Sequence, residues 1–353
     1  MQQAEWFLDD VPADSPLFRD LNPTQREAVA ATEGPVLVVA GAGSGKTRVL
    51  TYRIAHLIRD HNVAPSSILA ITFTNKAADE MKGRVGHLVG GMVNSMWVST
   101  FHSACVRILR REASRLGYKS GFSIYDEADS LRLIKIVLND LDMDTKRFPP
   151  RQIKAAISKA KNDLVDFDSF ADQSDGFYHE QVADVYRLYQ QRLLSASAMD
   201  FDDLLMITVE LFGAFPDVLE QYQERFRYVL VDEYQDTNRA QYMLVKQLTG
   251  KHRNLCVVGD SDQSIYKFRG ADIRNIRDFE KDYPDARVVI LDQNYRSTET
   301  ILNAANSVIA NNTSRTPKNL WSDRGQGEAN IRYEAEDEHG GGGFVVAGRE
   351  RPH

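Results

Sequence analysis

Cysteine is nearly absent. Two in 353 residues, Cys105 and Cys256, are too few for a disulfide framework. Both sit in apolar patterns far apart in sequence, which predicts buried free thiols in a reducing cytoplasm. Long apolar runs are also missing. None approaches the roughly 20 residues that span a bilayer, which argues against a membrane partner. Met1 to Asp14 is acidic and lacks the basic-then-apolar order of a signal peptide. Positive charge is in deficit, with a net charge of −7. Nonspecific polyanion binding by the whole surface is therefore disfavoured, and any nucleic-acid site must be local. No internal repeat recurs at a fixed period. What remains is ordinary globular composition, 42% hydrophobic and 26% charged, with length for two or three domains.

One stretch carries specific chemistry. Pro35 to Leu50 reads PVLVVAGAGSGKTRVL, a buried strand, a tight Gly-rich loop and a helix start. The backbone N–H groups of Gly43, Ser44, Gly45 and Lys46 can converge on a phosphate beside the positive end of the helix. Lys46 would reach the β- and γ-phosphates, and the Thr47 hydroxyl would ligate Mg²⁺. Ala40 stands where the usual pattern has Gly. Kinases, switches, pumps and motors all use such a loop, so the loop by itself leaves the use of the phosphate energy open.

The surrounding order is strand then helix, repeated. Strands are expected at Ile68 to Phe73 and near Trp97, with helices from about Asn75 and Phe101. That order predicts parallel α/β layers. From about 108 to 220 the chain turns helical and charged, as an insertion. Its basic stretch Lys154 to Lys161 can face duplex phosphates or solvent, and the acids of DFDDLL (Asp200 to Leu205) read as structural. Strand signals resume at Tyr228 to Val231 and end in Asp232-Glu233, a carboxylate pair suited to Mg²⁺ and a general base. A fifth strand, Leu255 to Val258, delivers a loop carrying Gln263, Tyr266, Phe268 and Arg269. A further strand ends near Tyr295 and Arg296. Ligands of open α/β sheets bind at such strand C-termini.

Together, AGAGSGKT, TFTNKAADEM, STFHS, DFDDLL, LVDEYQD, GDSDQSIYKFRGAD and QNYRST resemble, in order, the motifs of superfamily 1 DNA helicases of the UvrD, Rep and PcrA type. The resemblance covers about residues 15 to 333. It implies an α/β fold: a RecA-like P-loop NTPase domain with a parallel sheet, an inserted helical domain and the start of a second RecA-like lobe. The implied limits are 1–107 and 221–285 for the first lobe, 108–220 for the insertion, 286–335 for the incomplete second lobe and 336–353 for an unmatched tail.

Residue by residue, the resemblance implies ATP held by Gln25, which reads the adenine edge, by Tyr295 and Arg48 at its ring, and by Ala40, Gly41, Ala42, Gly43, Ser44, Gly45, Lys46 and Thr47 at its phosphates. Ala at the position of Ala40 is common in the family. Thr47 and Asp232 would hold Mg²⁺, Glu233 would orient water, Gln263 would sense the γ-phosphate, and Arg296 would act as an arginine finger. For DNA it implies Thr74 and Asn75 as a phosphate seat, Phe73, Tyr266 and Phe268 as stacking faces, and Arg269, Phe101 and His102 as further contacts. The family more often has Trp where Phe268 stands.

The implied activity is an ATP-dependent, 3′-to-5′ single-stranded DNA translocase and helicase acting at single-strand/duplex junctions in repair or replication, in a bacterial, nucleoid-associated cytoplasm. The helicase portion of a recombination nuclease shares this core; no nuclease motif is seen. A fragment that only binds ATP and DNA is another alternative. A GTPase is disfavoured, because NKAA at Asn75 to Ala78 lacks the Asp that reads guanine. Later family motifs are not visible, and DEHGGGGFVVAGRERPH has no helical period. The chain is therefore expected to be truncated or frame-changed there, able to bind nucleotide but not to unwind duplex.

Overall fold

The computed structural model describes residues 15–173, 176–312 and 318–349. Its strands are β1 (Val36–Ala40), β2 (Ile68–Thr72), β3 (Trp97–Thr100), β4 (Ser123–Tyr125), β5 (Ala198–Asp200), β6 (Tyr228–Val231), β7 (Leu255–Gly259) and β8 (Arg287–Leu291). Six of them form one parallel sheet in the order β3-β2-β6-β7-β1-β8. β1, β2, β6 and β7 are buried along their whole length, as continuous apolar runs covered on both faces should be. Side chains alternate between two cores: Leu37 and Val39 point into one, Val36, Val38 and Ala40 into the other.

Helices α1 (Pro23–Ala30), α2 (Lys46–Arg59) and α3 (Asn75–Val89) send Val29, Leu50 and Val85 into the second core. α4 (Phe101–Glu112) packs on the first. Next come α5 (Glu127–Asp140), α6 (Pro150–Asn162), α7 (Phe167–Asp172) and α8 (Phe177–Ser195), which bury a third core of their own around Ile134, Ile157, Val182 and Tyr189. α9 (Phe201–Ala214), α10 (Pro216–Arg225) and α11 (Arg239–Leu248) return to the sheet, through residues such as Leu204, Tyr222 and Leu244. The short helices α12 (Arg274–Arg277) and α13 (Phe279–Asp282) precede β8; α14 (Glu299–Ile309) and α15 (Glu338–Arg349) follow it.

Three expectations need correction. The limits 108 and 220 enclose α9 and most of α10, yet these helices pack on the sheet because their apolar faces complete its core. The separate helical unit is pinched off where β4 and β5 pair in parallel, so its neck lies near 125 and 198. β8, expected to open a second lobe, pairs in parallel with β1 at the edge of this sheet, with Val36 opposite Arg287 and Ala40 opposite Leu291. Val289 and Leu291 are buried there, so the exposed apolar face expected for this strand is mostly covered. The tail also contains a helix, α15, whose Phe344 stacks on Tyr333 with ring centroids 4.1 Å apart. Cys105 and Cys256 are buried free thiols, as expected, and burial pushes the Cys105 thiol up to about 12.

Candidate functional site

The phosphate loop leaves the C-terminal end of β1 and turns into α2. Gly43 has φ +71°, and an added Cβ would lie 2.7 Å from the Asn294 side chain, so this position needs glycine twice over. Lys46 opens α2 and Thr47 follows it, half-buried. The Ser44 N–H turns back to the Gly41 carbonyl at 3.3 Å, a bond the expected convergence on phosphate would have to break.

Lys46 Nζ donates to Glu233 Oε2 at 2.8 Å across the sheet. Glu233 sits just past β6 at φ +49°, a costly conformation for a side chain with a Cβ, held by its partners. Gln235 Nε2 donates to the same Oε2 at 2.9 Å. Gln235 Oε1 in turn accepts the Asp260 N–H at 2.9 Å, and Gln263 Nε2 donates to Asp260 Oδ2 at 2.5 Å. A hydrogen-bonded chain thus runs from the phosphate-loop lysine to Gln263. Asp232 is buried at the strand end, and burial, then the neighbouring Glu233 charge, push its carboxyl up to about 6. The buried Asp232 carboxylate and the Thr47 hydroxyl are hard oxygen donors of the kind that fits Mg²⁺, which takes few protein ligands and completes its shell with phosphate and water. No cluster of three or more His, Cys, Asp or Glu suited to a metal exists among the described residues.

On the other side of the loop, Gln25 is buried in the capping box of α1, and its Nε2 donates to the Ser44 carbonyl at 3.0 Å. Asn22 Nδ2 donates to the Tyr295 hydroxyl at 2.8 Å. The segment after β8 closes on the loop: Asn294 Nδ2 donates to the Ala42 carbonyl at 2.6 Å and the Tyr295 N–H to that of Gly43 at 2.9 Å. Tyr295 and Arg296 are therefore beside the loop, and both are exposed. Arg48 lies over the Tyr52 ring at 5.5 Å.

A cleft of about 760 Å³ adjoins this site. Phe73, Thr74, Phe101 and His102 reach it from the ends of β2 and β3, Tyr266 and Phe268 from the loop after β7. Glu233, Gln235 and Gln263 line the same cleft. Phe268 is 79% exposed, with Tyr266 tilted against it at 6.0 Å. Thr74 caps α3 by accepting the Ala77 N–H, and Asn75 beside it is exposed. Phe101 differs from expectation: it is 2% exposed and packs edge-on to Phe73, so it supports the cleft wall rather than offering a face. Burial lowers the His102 imidazole below its ordinary value, against the pull of Asp202. The Arg269 side chain lies outside the described residues.

Lys161, in the basic stretch expected to face duplex phosphates or solvent, is instead fully buried between Asp200 and Asp203 at 2.8 Å each. Those acids are structural, as expected. Residues that escaped the sequence reading include Phe201, half exposed and 5.9 Å from the His102 ring, and Gln235, which joins the two loops. DFDDLL and DEYQD contained both, but only the folded chain shows where they point.

Residues 21–284 match the family described as UvrD/REP helicase N-terminal domain, and residues 289–346 match the UvrD-like helicase C-terminal domain. Proteins named ATP-dependent DNA helicase PcrA are similar along most of the chain. That of Bacillus subtilis is 57% identical over 330 residues, 94% of this chain and 45% of its own length. Those of Staphylococcus aureus and Staphylococcus epidermidis are 55% and 54% identical over the same span. The chain spans 45% of the length of these curated relatives.

Proposed function

The chain belongs to the UvrD/REP helicase family, and from that premise we propose that it binds ATP with Mg²⁺ and couples hydrolysis to 3′-to-5′ movement on single-stranded DNA. One cleft brings Glu233 and Gln263 together with the half-buried ring of Tyr266 and the exposed ring of Phe268, and that shared surface supports a coupled site rather than two separate ones. Lys46 would leave Glu233 for the incoming phosphates. Glu233, so released, would accept a proton from the attacking water while Gln235 keeps it in place. Thr47 and Asp232 would hold Mg²⁺, which when bound neutralises charge on the phosphate oxygens. Gln263 would contact the γ-phosphate, and Arg296, next to Gly43, would add positive charge as the phosphoryl group transfers. Gln25 and Tyr295 would take the adenine, with Arg48 turning from Tyr52 toward its ring.

On the DNA side, Phe73, Tyr266 and Phe268 would stack on bases, joined by Phe201. Thr74, Asn75, His102 and Arg269 would face the backbone. Stacking and phosphate contacts tolerate any sequence, as a motor requires. Residues from about 286 would begin a second lobe, in keeping with the C-terminal family match that starts at 289. Junction DNA, a role in repair or replication, and a bacterial, nucleoid-associated cytoplasmic setting belong to the same proposal. No helix among the described residues is long and apolar enough to cross a membrane.

The test is ATP hydrolysis with and without single-stranded oligonucleotides of unrelated sequence. All should stimulate turnover. Glu233→Gln should keep ATP binding while stimulated turnover falls about 10²-fold or more. Hydrolysis indifferent to DNA, or unchanged in that variant, would overturn the proposal. Faster dye displacement from the 5′ end than from the 3′ end of a labelled strand tests direction.

A further inference from the structure

Lys318 follows α14 in sequence, in a stretch that crosses back over the phosphate loop. Two residues on, Leu320 lies so close to Gly41 that an added Cβ there would meet Leu320 Cδ2 at 2.4 Å. The Lys318 side chain is 2% exposed, and its Nζ lies 2.6 Å from Asp260 Oδ1 and 2.5 Å from Asp262 Oδ2. A buried ammonium is tolerated only with such partners, and its removal leaves two carboxylates facing each other.

The consequence lies one bond further. Asp260 Oδ2, the oxygen that Lys318 does not take, accepts Gln263 Nε2. The Asp260 N–H is fixed by Gln235, and this bond is possible only because Gly259 has no side chain: a Cβ there would lie 2.7 Å from Gln235 Oε1. Asp260 is thus held by Lys318, Gln235 and Gln263, and its Oδ1 also accepts the Asp262 N–H at 3.0 Å. The Gln263 carboxamide points where the Asp260 carboxylate directs it, and Lys318 supplies the charged partner that fixes that carboxylate.

We propose, building on the role given above to Gln263, that Lys318 is a positioning residue for γ-phosphate sensing. It clamps the loop after β7 so that Gln263 meets a triphosphate and not a diphosphate. Because Lys318 and Leu320 lie in one short stretch, the same segment registers both the first residue of the phosphate loop and the sensor.

The experiment measures affinity for ADP and for the non-hydrolysable analogue adenylyl imidodiphosphate, each with Mg²⁺, by fluorescence titration of the full chain. Gln263→Ala and Lys318→Met should each reduce the preference for the triphosphate about tenfold, the loss expected for a charge-assisted hydrogen bond, with ADP affinity unchanged. Together the two substitutions should reduce it no further, since Lys318 acts through Gln263. A merely structural lysine would weaken both nucleotides alike, and that result overturns the proposal. If Gln263→Ala has no effect, the sensor role fails first. If Gln263→Ala acts and Lys318→Met does not, only the positioning role fails. Should Lys318→Met lack a cooperative melt, Lys318→Gln keeps a donor without the charge and is judged by the same criterion. If neither variant folds, Lys318 is a structural residue and the proposal is wrong.

Discussion

Two phenylalanines at the same cleft separate grip from support. Phe268 is mostly in solvent, so its ring contributes little to the folded core and offers a face on which a base could stack. Phe268→Ala should weaken single-stranded DNA binding by roughly 1–3 kcal/mol on every sequence and leave the melting temperature within a degree or two. Phe101 is buried against Phe73 and Cys105, so Phe101→Ala should instead cost about 3–5 kcal/mol of stability. Fluorescence anisotropy on three unrelated oligonucleotides, beside urea unfolding, distinguishes them. A DNA effect confined to one sequence for Phe268→Ala, or full stability for Phe101→Ala, would contradict this division.

At the level of elements, the neck of the helical unit is a charged joint. Lys161 on α6 meets Asp200 at the end of β5 and Asp203 in the first turn of α9. The two carboxylates cannot both be comfortable beside one ammonium. Burial, then the Asp200 charge, push Asp203 up to about 6, while Lys161 holds Asp200 below its ordinary value. The signs oppose. Asp203 binds a proton more tightly folded than unfolded, so its contribution to stability is present below about pH 4 and is lost as pH rises to about 6. Asp200 does the reverse, and its contribution is lost only in stronger acid. Asp203→Asn removes the first term and retains an oxygen for Lys161. Urea unfolding at pH 5 and pH 7 should show the parent losing on the order of 1–2 kcal/mol more than the variant over that interval. Equal pH dependence in the two proteins would mean Asp203 is ionised throughout.

For the molecule as a whole, the acidic balance constrains how DNA can be held. A chain of net charge −7 repels a polyanion except where local geometry overrides the average. With Lys161 buried and Lys154 paired to Glu127, the helical unit offers less free positive charge than its composition suggests. Single-stranded DNA affinity should therefore fall roughly tenfold or more as salt rises from about 50 to about 200 mM, with a slope near −0.7 for each phosphate contacted. Duplex of the same length should bind more weakly throughout, since paired bases hide the faces that Phe268 and Tyr266 would use. Salt-independent binding, or a preference for duplex, would argue for a different surface.

How much of this was legible beforehand differs from place to place. The strand, loop and helix around Lys46, the parallel layering and the carboxylate pair at Asp232-Glu233 are local patterns, set by side-chain period and backbone chemistry within a few residues of chain. They formed where the pattern put them. Pairing over long distances was not legible. β8 could serve as the edge of one sheet or open another, and only the match of Val289 and Leu291 to the open side of β1 decided it. α9 and α10 read as part of a helical run, yet they complete the sheet's core. Lys161 read as a solvent charge until two acids from another segment enclosed it, and Lys318 drew no notice until the chain carried it back to Asp260. Composition and period determine which residues must be buried or capped. Which partner buries them depends on contacts between segments tens to hundreds of residues apart, and those exist only in the folded chain.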